Sequence, residues 1–175
     1  MLHHAKAKRD LDVLDAVAKK AAWEKPLAAG LHRGIAVYAS YGSWAAAVAE
    51  IAMEGGEVRI KRIVVALDTG HIASPDGVVA QVEGSVVWAL SATLFGEITI
   101  TEGRVAQSNF HDYPMLRIDR MPEVETALVP SGGFWGGAGE PAVPPVAPAL
   151  VNAIFAATGK RIRSLPLVKH GLVKV

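Results

Sequence analysis

The segment 132–145 constrains the fold more than any other part of the chain, because it gathers glycine and proline around a single carboxylate. It reads Gly-Gly-Phe-Trp-Gly-Gly-Ala-Gly-Glu-Pro-Ala-Val-Pro-Pro. Glycine tolerates positive φ and lets other groups come close to the backbone, whereas proline fixes φ and removes a backbone donor. We therefore predict a shaped, rigid loop rather than a flexible linker. Its one acid, Glu140, is the first candidate for chemistry.

The rest of the chain predicts an α+β fold, in which packed helices cover a mixed sheet. Residues 58–61 alternate between apolar and basic side chains, and residues 63–67 are apolar throughout, as in a strand that enters a core. Ser74 and Pro75 are typical of a helix start, and Gly159 is typical of a helix end. The predicted helices are 10–23, 75–94 and 146–158, and the predicted strands are 33–40, 44–53, 58–68, 98–101, 104–107 and 123–129.

Two of the predicted helices carry features that bear on packing. In the first, an apolar stripe at helical spacing predicts which face turns inward. In the second, Gly84 costs roughly 1 kcal/mol relative to alanine, so we expect another backbone or a ligand to come close there. The inward stripe of the first helix consists of Leu11, Leu14, Ala18 and Ala22.

The composition narrows the classes of function. Hydrophobic residues make up 51% of the 175 residues, which predicts a surface that packs against another protein; an alanine-rich chain without such a surface is the alternative. The formal net charge of +1 gives no electrostatic case for nucleic acid. No uninterrupted apolar run of 18 residues occurs in the sequence, so we expect no membrane span. The chain has no cysteine, which excludes disulfides and cysteine-bound iron–sulfur clusters within it.

Several side chains could carry chemistry, and each has a structural alternative. A carboxylate on a rigid loop, such as Glu140, can act as a general base, or it can simply cap the helix that follows. Gln81 lies in Ala-Gln-Val-Glu-Gly at 80–84, where a glutamine is often only solvated. The segment Gln-Ser-Asn-Phe-His-Asp-Tyr-Pro at 107–114 is read as a structural turn, with a substrate-channel wall as the alternative. Apart from the pair His3-His4, the histidines show no metal-ligand spacing, so no metal site is expected.

These motifs together resemble the molybdenum hydroxylases, the xanthine oxidase family. The resemblance rests on Gly-Ala-Gly-Glu-Pro at 137–141, on the segment at 152–161 that ends in Ala-Thr-Gly-Lys-Arg, and on the segments at 80–84 and 107–114. It is strongest toward the catalytic subunits of isoquinoline 1-oxidoreductases and membrane-associated aldehyde dehydrogenases. The chain departs from the family at 68–70, where it has Asp-Thr-Gly instead of Asp-Cys-Gly.

The resemblance implies a role for particular residues. Glu140 would be the catalytic general base, and Gln81, Gly137 and Gly139 would contact a molybdopterin cofactor, in its cytosine dinucleotide form. Phe134 and Trp135 stand on the same loop, and aromatic rings there can form walls of a substrate pocket. The alternative is that the two rings fix the loop in the core.

The resemblance also implies how the chain works with others. We expect residues 1–175 to be a single domain, the C-terminal catalytic piece of a molybdenum hydroxylase large subunit. Its partners would be the remaining molybdopterin-binding part, an iron–sulfur subunit that carries the clusters, and a small-molecule substrate. The implied reaction is hydroxylation of an aldehyde or an N-heterocycle with water as the oxygen donor. A non-catalytic remnant or an assembly module that keeps the fold is the alternative. The compartment stays open between cytoplasm and periplasm.

Overall fold

Among residues 7–174, three α-helices pack on the two faces of a four-stranded mixed sheet, which confirms the predicted α+β class. The computed structural model describes residues 7–174. The helices are α1 (Lys8–Lys20), α2 (Pro75–Leu94) and α3 (Val143–Thr158). The strands are β1 (Leu31–Ser40), β2 (Ser43–Glu54), β3 (Glu57–Asp68), β4 (Ile100–Thr101), β5 (Arg104–Val105) and β6 (Glu123–Leu128).

The large sheet has the strand order β1-β2-β3-β6. The first three strands are antiparallel neighbours, and β6 adds to β3 in parallel. The short strands β4 and β5 pair only with each other, as the predicted hairpin requires, although they are shorter than predicted. The return of β6 beside β3 matters for function, because the chain leaves both strands at the same edge of the sheet.

The alternation of β2 and β3 explains why each strand contains a continuous apolar run, at residues 44–49 and 63–67. Odd-numbered residues of these two runs, such as Ala47 and Val65, pack in one cluster with α2 and α3. Even-numbered residues, such as Val48 and Val64, pack with α1 on the opposite face. A strand that is buried on both faces needs apolar side chains at every position, because successive side chains point to opposite sides.

The predicted inward face of α1 is wrong. Val13, Val17 and Ala21 are buried against the sheet, whereas Leu11 is exposed. The buried residues recur every four positions, so they form a stripe of their own. These are β-branched or small side chains, and they meet the small alanines and the valines of the sheet. Leu14, Ala18 and Ala22 are only partly buried.

The start of α2 and the end of α3 follow the predicted signals, whereas α3 begins at Val143, three residues before the predicted start. Ser74 caps α2, since its hydroxyl accepts a hydrogen bond of 3.3 Å from the N–H of Gly77. Gly159 ends α3 in the left-handed conformation with φ of 71°. Helix α3 lies directly on β1 at Gly34, where an added Cβ would come within 2.3 Å of the carbonyl oxygen of Ala149. Only glycine fits at that crossing.

Helix α2 is, among residues 7–174, the one helix long and apolar enough to cross a membrane by length and composition. A helix in a protein core passes the same test. In this chain 44% of its most apolar window is buried, on the side formed by Val82, Val86 and Leu90, which pack with the sheet and α3. The length and composition of α2 are therefore only weak evidence for a membrane span.

Candidate functional site

A buried carboxylate at the end of β3 holds the first residues of the glycine-rich loop 130–142. Asp68 is fully buried at the end of β3, and it accepts hydrogen bonds of 2.8 Å from the N–H of Gly70 and from the hydroxyl of Ser131. The guanidinium of Arg9 in α1 donates a further hydrogen bond and forms an ion pair. Burial raises the pKa of Asp68, but these hydrogen bonds and the charge of Arg9 outweigh it, so the pKa lies below its usual value.

The middle of the loop is held by backbone hydrogen bonds to two neighbouring turns. The N–H of Gly136 donates to the carbonyl of Thr69 over 2.8 Å, and the N–H of Gly137 donates to the carbonyl of Tyr41 over 2.9 Å. In return, the hydroxyl of Ser43 donates to the carbonyl of Gly137 over 2.6 Å. Ser43 is fully buried at the start of β2. These hydrogen bonds give the loop a defined shape.

Close approach explains the glycines at two points of contact. A Cβ at Gly136 would lie 2.1 Å from the hydroxyl oxygen of Ser43. A Cβ at Gly70, whose φ is +82°, would lie 2.2 Å from the carbonyl oxygen of Phe134. No side chain fits at either distance, so these glycines let the two loops touch.

The end of the loop meets α2 and forms a cleft of about 210 Å³. The hydroxyl of Ser85 donates to the carbonyl of Gly139 over 2.7 Å. A Cβ at Gly139 would lie 3.2 Å from the side-chain oxygen of Gln81, so the two residues are neighbours. Glu140 is exposed at this cleft. The cleft is lined by Gln81, Gly84, Ser85, Trp88, Gly139, Glu140 and Val143.

The remaining predicted site residues lie elsewhere on the loop. Gly137 packs against Tyr41, where an added Cβ would lie 3.1 Å from the tyrosine Cβ. Phe134 and Trp135 do not line the cleft, and they are 89% and 57% exposed. The ring of Trp135 lies 5.6 Å from the ring of His71, centre to centre. Such exposure argues against the alternative in which the rings fix the loop in the core.

Sequence reasoning missed three residues of this region. Ser85 and Trp88 follow Gln81 by four and seven positions, so helical spacing places all three on one face of α2. That spacing could have identified them. Ser43 had no comparable signal, since its contact with Gly137 joins residues 94 positions apart.

The segment 107–114 is a turn held by its own residues. The carboxylate of Asp112 accepts hydrogen bonds from the N–H groups of Ser108 and Asn109 and from the Ser108 hydroxyl, at 2.8–3.0 Å. The two backbone N–H groups lower the pKa of Asp112 to about 2. A groove of about 690 Å³ lies beside this turn, between Phe110 and residues 113–120.

The residues described by the structure contain no group of three or more histidine, cysteine, aspartate or glutamate side chains that could hold a metal ion. The pair His3-His4 lies outside the described residues. The acidic side chain in the cleft is Glu140, and it lies beside the amide of Gln81 and the peptide groups of the loop. Together these groups can accept a proton and donate hydrogen bonds, as groups that bind an organic ligand do.

Known proteins share sequence with this chain. Residues 6–122 match the family model described as a molybdopterin cofactor-binding domain. The chain is 32% identical to the beta chain of the isoquinoline 1-oxidoreductase of Brevundimonas diminuta over 95% of its length, which is 22% of that relative. It is 33% identical to one of the subunits of the nicotinate dehydrogenase of Pseudomonas putida, again over 95% of its length and over 16% of the relative.

A solved structure shares the fold. The quinoline 2-oxidoreductase of Pseudomonas putida 86 superposes with a TM-score of 0.60 and 23% identity, over 71% of this chain and 17% of that one. The chain thus spans about a fifth of the length of the relatives it matches. The family model covers two thirds of the chain and includes Gln81, and the similarity to the two relatives extends over nearly all of it. The chain therefore belongs to the molybdenum hydroxylase family, as a molybdopterin cofactor-binding domain.

Proposed function

We propose that this chain supplies the general base and one wall of the cofactor site in a molybdenum-dependent oxidoreductase. The observation that carries the proposal is the cleft in which Glu140, Gln81 and Gly139 lie together, although about 60 residues separate Gln81 from Glu140. Two independent parts of the chain, a helix face and a rigid loop, meet there. The motifs that carry the resemblance in these two parts are far apart in sequence, and the resemblance assigns both of them to one site.

The residues of the cleft fit one side of a molybdopterin group. The amide of Gln81 offers both a donor and an acceptor, and the glycines of the loop leave their backbone open to a ligand. Gly84 has no atom within 4 Å of the position of an added Cβ, so the helix face is clear beside Gln81. When bound, molybdopterin would supply the two-electron redox chemistry that no protein side chain provides. In the family the expected form is the cytosine dinucleotide.

The role of Glu140 is to accept a proton at its carboxylate. Its exposed position in this chain leaves the carboxylate open to a reacting group. The cleft is open on one side, so another part of the protein must exclude water from it when the site is complete. The oxygen that enters the product comes from water, and removal of its proton by the carboxylate is the step that this chain performs.

The substrate class follows from the relatives by analogy. Isoquinoline 1-oxidoreductase and nicotinate dehydrogenase are named for N-heterocycles, and a third relative is an aldehyde dehydrogenase. We infer an electron-poor aldehyde or N-heterocycle as substrate. Phe134 and Trp135, exposed on the loop, would flank a flat ring of this kind.

The chain performs this role with partners. Because the matched segment is only 16–22% of the relatives' length, most of the molybdopterin-binding subunit is contributed by other sequence. The chain has no cysteine, so iron–sulfur clusters would lie outside it, on the separate subunit that the resemblance implies. The alternative, a non-catalytic remnant or assembly module, has no separate observation in its favour. An adjacent reading frame that encodes the missing part would support the enzyme.

The test is Glu140→Gln in the reconstituted complex. The amide is nearly isosteric but does not accept the proton, so turnover should fall by about 10²–10⁴-fold while the fold is kept. The matched control is Glu83→Gln, which removes an exposed carboxylate from α2 outside the lining of the cleft. We expect the control to keep its turnover. More than about a tenth of the activity in Glu140→Gln would contradict the base role.

A further inference from the structure

We propose that Ser43 and Ser85 are positioning residues that hold the segment 137–139 from two sides and thereby set the direction of Glu140. The proposal rests on the proposed function, because it concerns the same glutamate. The two hydroxyls donate to the carbonyls of Gly137 and Gly139, with only Ala138 between them. The resemblance assigns no role to either serine, and both are distant from the loop in sequence.

Both serines are buried and come from different elements. Ser43 begins β2 and is 0% exposed, and Ser85 lies in the middle of α2 and is 3% exposed. A buried hydroxyl that lacks a partner is costly, so each bond to the loop is retained in the folded state. The hydrogen bonds join residues 94 and 54 positions apart, at 2.6 and 2.7 Å. The sheet and the helix thus fix the loop from two directions.

The behaviour of other hydroxyls in α2 shows that Ser85 is distinctive. A serine or threonine within a helix commonly donates to the carbonyl four residues earlier. Ser91 and Thr93 do so in this helix, to Val87 over 2.8 Å and to Ala89 over 2.6 Å. Ser85 instead donates out of the helix to the loop. Its hydroxyl therefore serves the contact between α2 and the loop.

The geometry of the peptide explains how this contact reaches the carboxylate. The atoms from the Cα of Gly139 to the Cα of Glu140 lie in one plane, which includes the carbonyl oxygen that Ser85 holds. Fixing that oxygen restricts the plane and so the position of the Glu140 Cα. Glycine has wide conformational freedom, so a loop with glycines at 136, 137 and 139 would otherwise sample many directions of this plane.

The first experiment measures the loop directly, without cofactor. Hydrogen–deuterium exchange of the amides of Gly136 and Gly137, which donate to the carbonyls of Thr69 and Tyr41, is compared in the full 175-residue chain for wild type, Ser43→Ala, Ser85→Ala and the double variant. We expect about tenfold faster exchange in each single variant. The double variant should change by less than the product of the two, because both bonds hold one three-residue segment.

The control is Thr93→Val, which removes a buried hydroxyl that donates only within α2. Its exchange at Gly136 and Gly137 should stay within about twofold of wild type, since Thr93 does not touch the loop. Equal exchange in Ser85→Ala and Thr93→Val would overturn the proposal. Strictly multiplicative effects in the double variant would also overturn it.

The second experiment measures turnover of the reconstituted complex. We expect Ser85→Ala and Ser43→Ala to lower kcat by about tenfold with little change in KM, because a displaced base slows the proton step without changing substrate binding. Unchanged kcat together with faster loop exchange would overturn the positioning role. Full activity in Glu140→Gln would instead contradict the general-base role, while the exchange experiment would still decide whether the serines hold the loop.

Discussion

Two irregular segments of this protein differ in what holds them. The glycine-rich loop 130–142 has few large apolar residues, and its hydrogen bonds reach residues in α2, β2 and β3. The residue that it contacts in β3 is Asp68, which is paired with Arg9 of α1. The segment 96–120 is richer in large apolar residues, and much of its hydrogen bonding stays within the segment, as in the pairs of Gln107 with Thr99 and of Asp112 with Ser108. The loop 130–142 is positioned by contacts with the core, whereas the segment 96–120 is held largely by hydrogen bonds among its own residues.

The difference extends to the side chains each segment exposes. The loop 130–142 presents Glu140 and two aromatic rings from a fixed backbone. The segment 96–120 presents apolar side chains beside a groove of about 690 Å³, and Phe110 and Ile118 are 81% and 94% exposed. Exposed apolar groups of this size are typical of surfaces that another chain covers.

This comparison indicates where precision is needed. A loop that carries a catalytic group requires a defined position relative to the cofactor, and long-range hydrogen bonds to buried groups provide it. A segment that contributes apolar area to an interface can adjust when the partner binds, so local bonds suffice. The two aspartates that hold these segments, Asp68 and Asp112, allow a direct test.

The largest expected effect is that of Asp68→Asn on global stability. The change leaves the guanidinium of Arg9, mostly buried, without its carboxylate, and removal of one partner from a buried ion pair costs roughly 3–5 kcal/mol. Urea unfolding should show this loss. The matched change, Asp112→Asn, removes a partly exposed carboxylate with local partners, so we expect a much smaller loss. Similar losses in both variants would erase the distinction between the segments.

Much of the fold could be predicted from the sequence because its signals are local. The ends of α2 and α3 follow from Ser74, Pro75 and Gly159, each of which acts through its own backbone conformation. The inward face of α1 could not be predicted in the same way. The stripes that contain Leu14 and Val17 are both apolar at helical spacing, and only the shape of the sheet decides between them.

In the site, too, the residues with local sequence signals could be predicted and those with long-range contacts could not. The motifs around Gln81 and Glu140 could be identified by resemblance, because each is a short continuous stretch of sequence. The contacts of Ser43 and Asp68 with the loop depend on how distant strands meet, and a single sequence carries no pattern for them. The polar groups that hold the loop were thus harder to predict than the groups that it presents.

The next effect concerns the rings on the loop. If Trp135 forms a wall of the substrate pocket, Trp135→Ala should lower kcat/KM for an aromatic aldehyde about fivefold more than for a small aliphatic one, since an aromatic contact is worth about 1 kcal/mol. Stability should change little, because the ring is 57% exposed. Steady-state kinetics and thermal unfolding test both points. Equal losses for the two substrates, together with a loss of several kcal/mol in stability, would favour the ring as a structural support of the loop.

A smaller effect, of opposite sign, is expected at Gly84. An added Cβ meets no atom within 4 Å, so Gly84→Ala should stabilise the isolated chain by roughly 0.5–1 kcal/mol through helix propensity. The same methyl group would project into the cleft beside Gln81 and Glu140, so cofactor content of the complex should fall. Unfolding of the chain and molybdenum analysis of the complex test the two parts. A gain in stability with full cofactor content would remove Gly84 from the site.

The smallest effect is a titration without unfolding. The pKa of Asp112 is lowered from 3.8 to about 2, so its contribution to the turn is complete above the ordinary value and is lost as pH falls through about 2. At a pH of about 3 the carboxylate should still be mostly ionised. The amide resonances of Ser108 and Asn109, which donate to it, should therefore hardly move between about pH 5 and 3 while tryptophan fluorescence stays native.

The pKa of Asp68 is also lowered, but that carboxylate is buried, so its protonation should accompany global unfolding rather than a local change. The two aspartates therefore lose their charge in different ways as the pH falls, one within a folded protein and the other together with the fold. A titration of the Ser108 amide centred near the ordinary value of 3.8 would show that the turn is not held by the carboxylate. The segment 96–120 could then no longer be described as held by its own hydrogen bonds, in contrast to the loop 130–142.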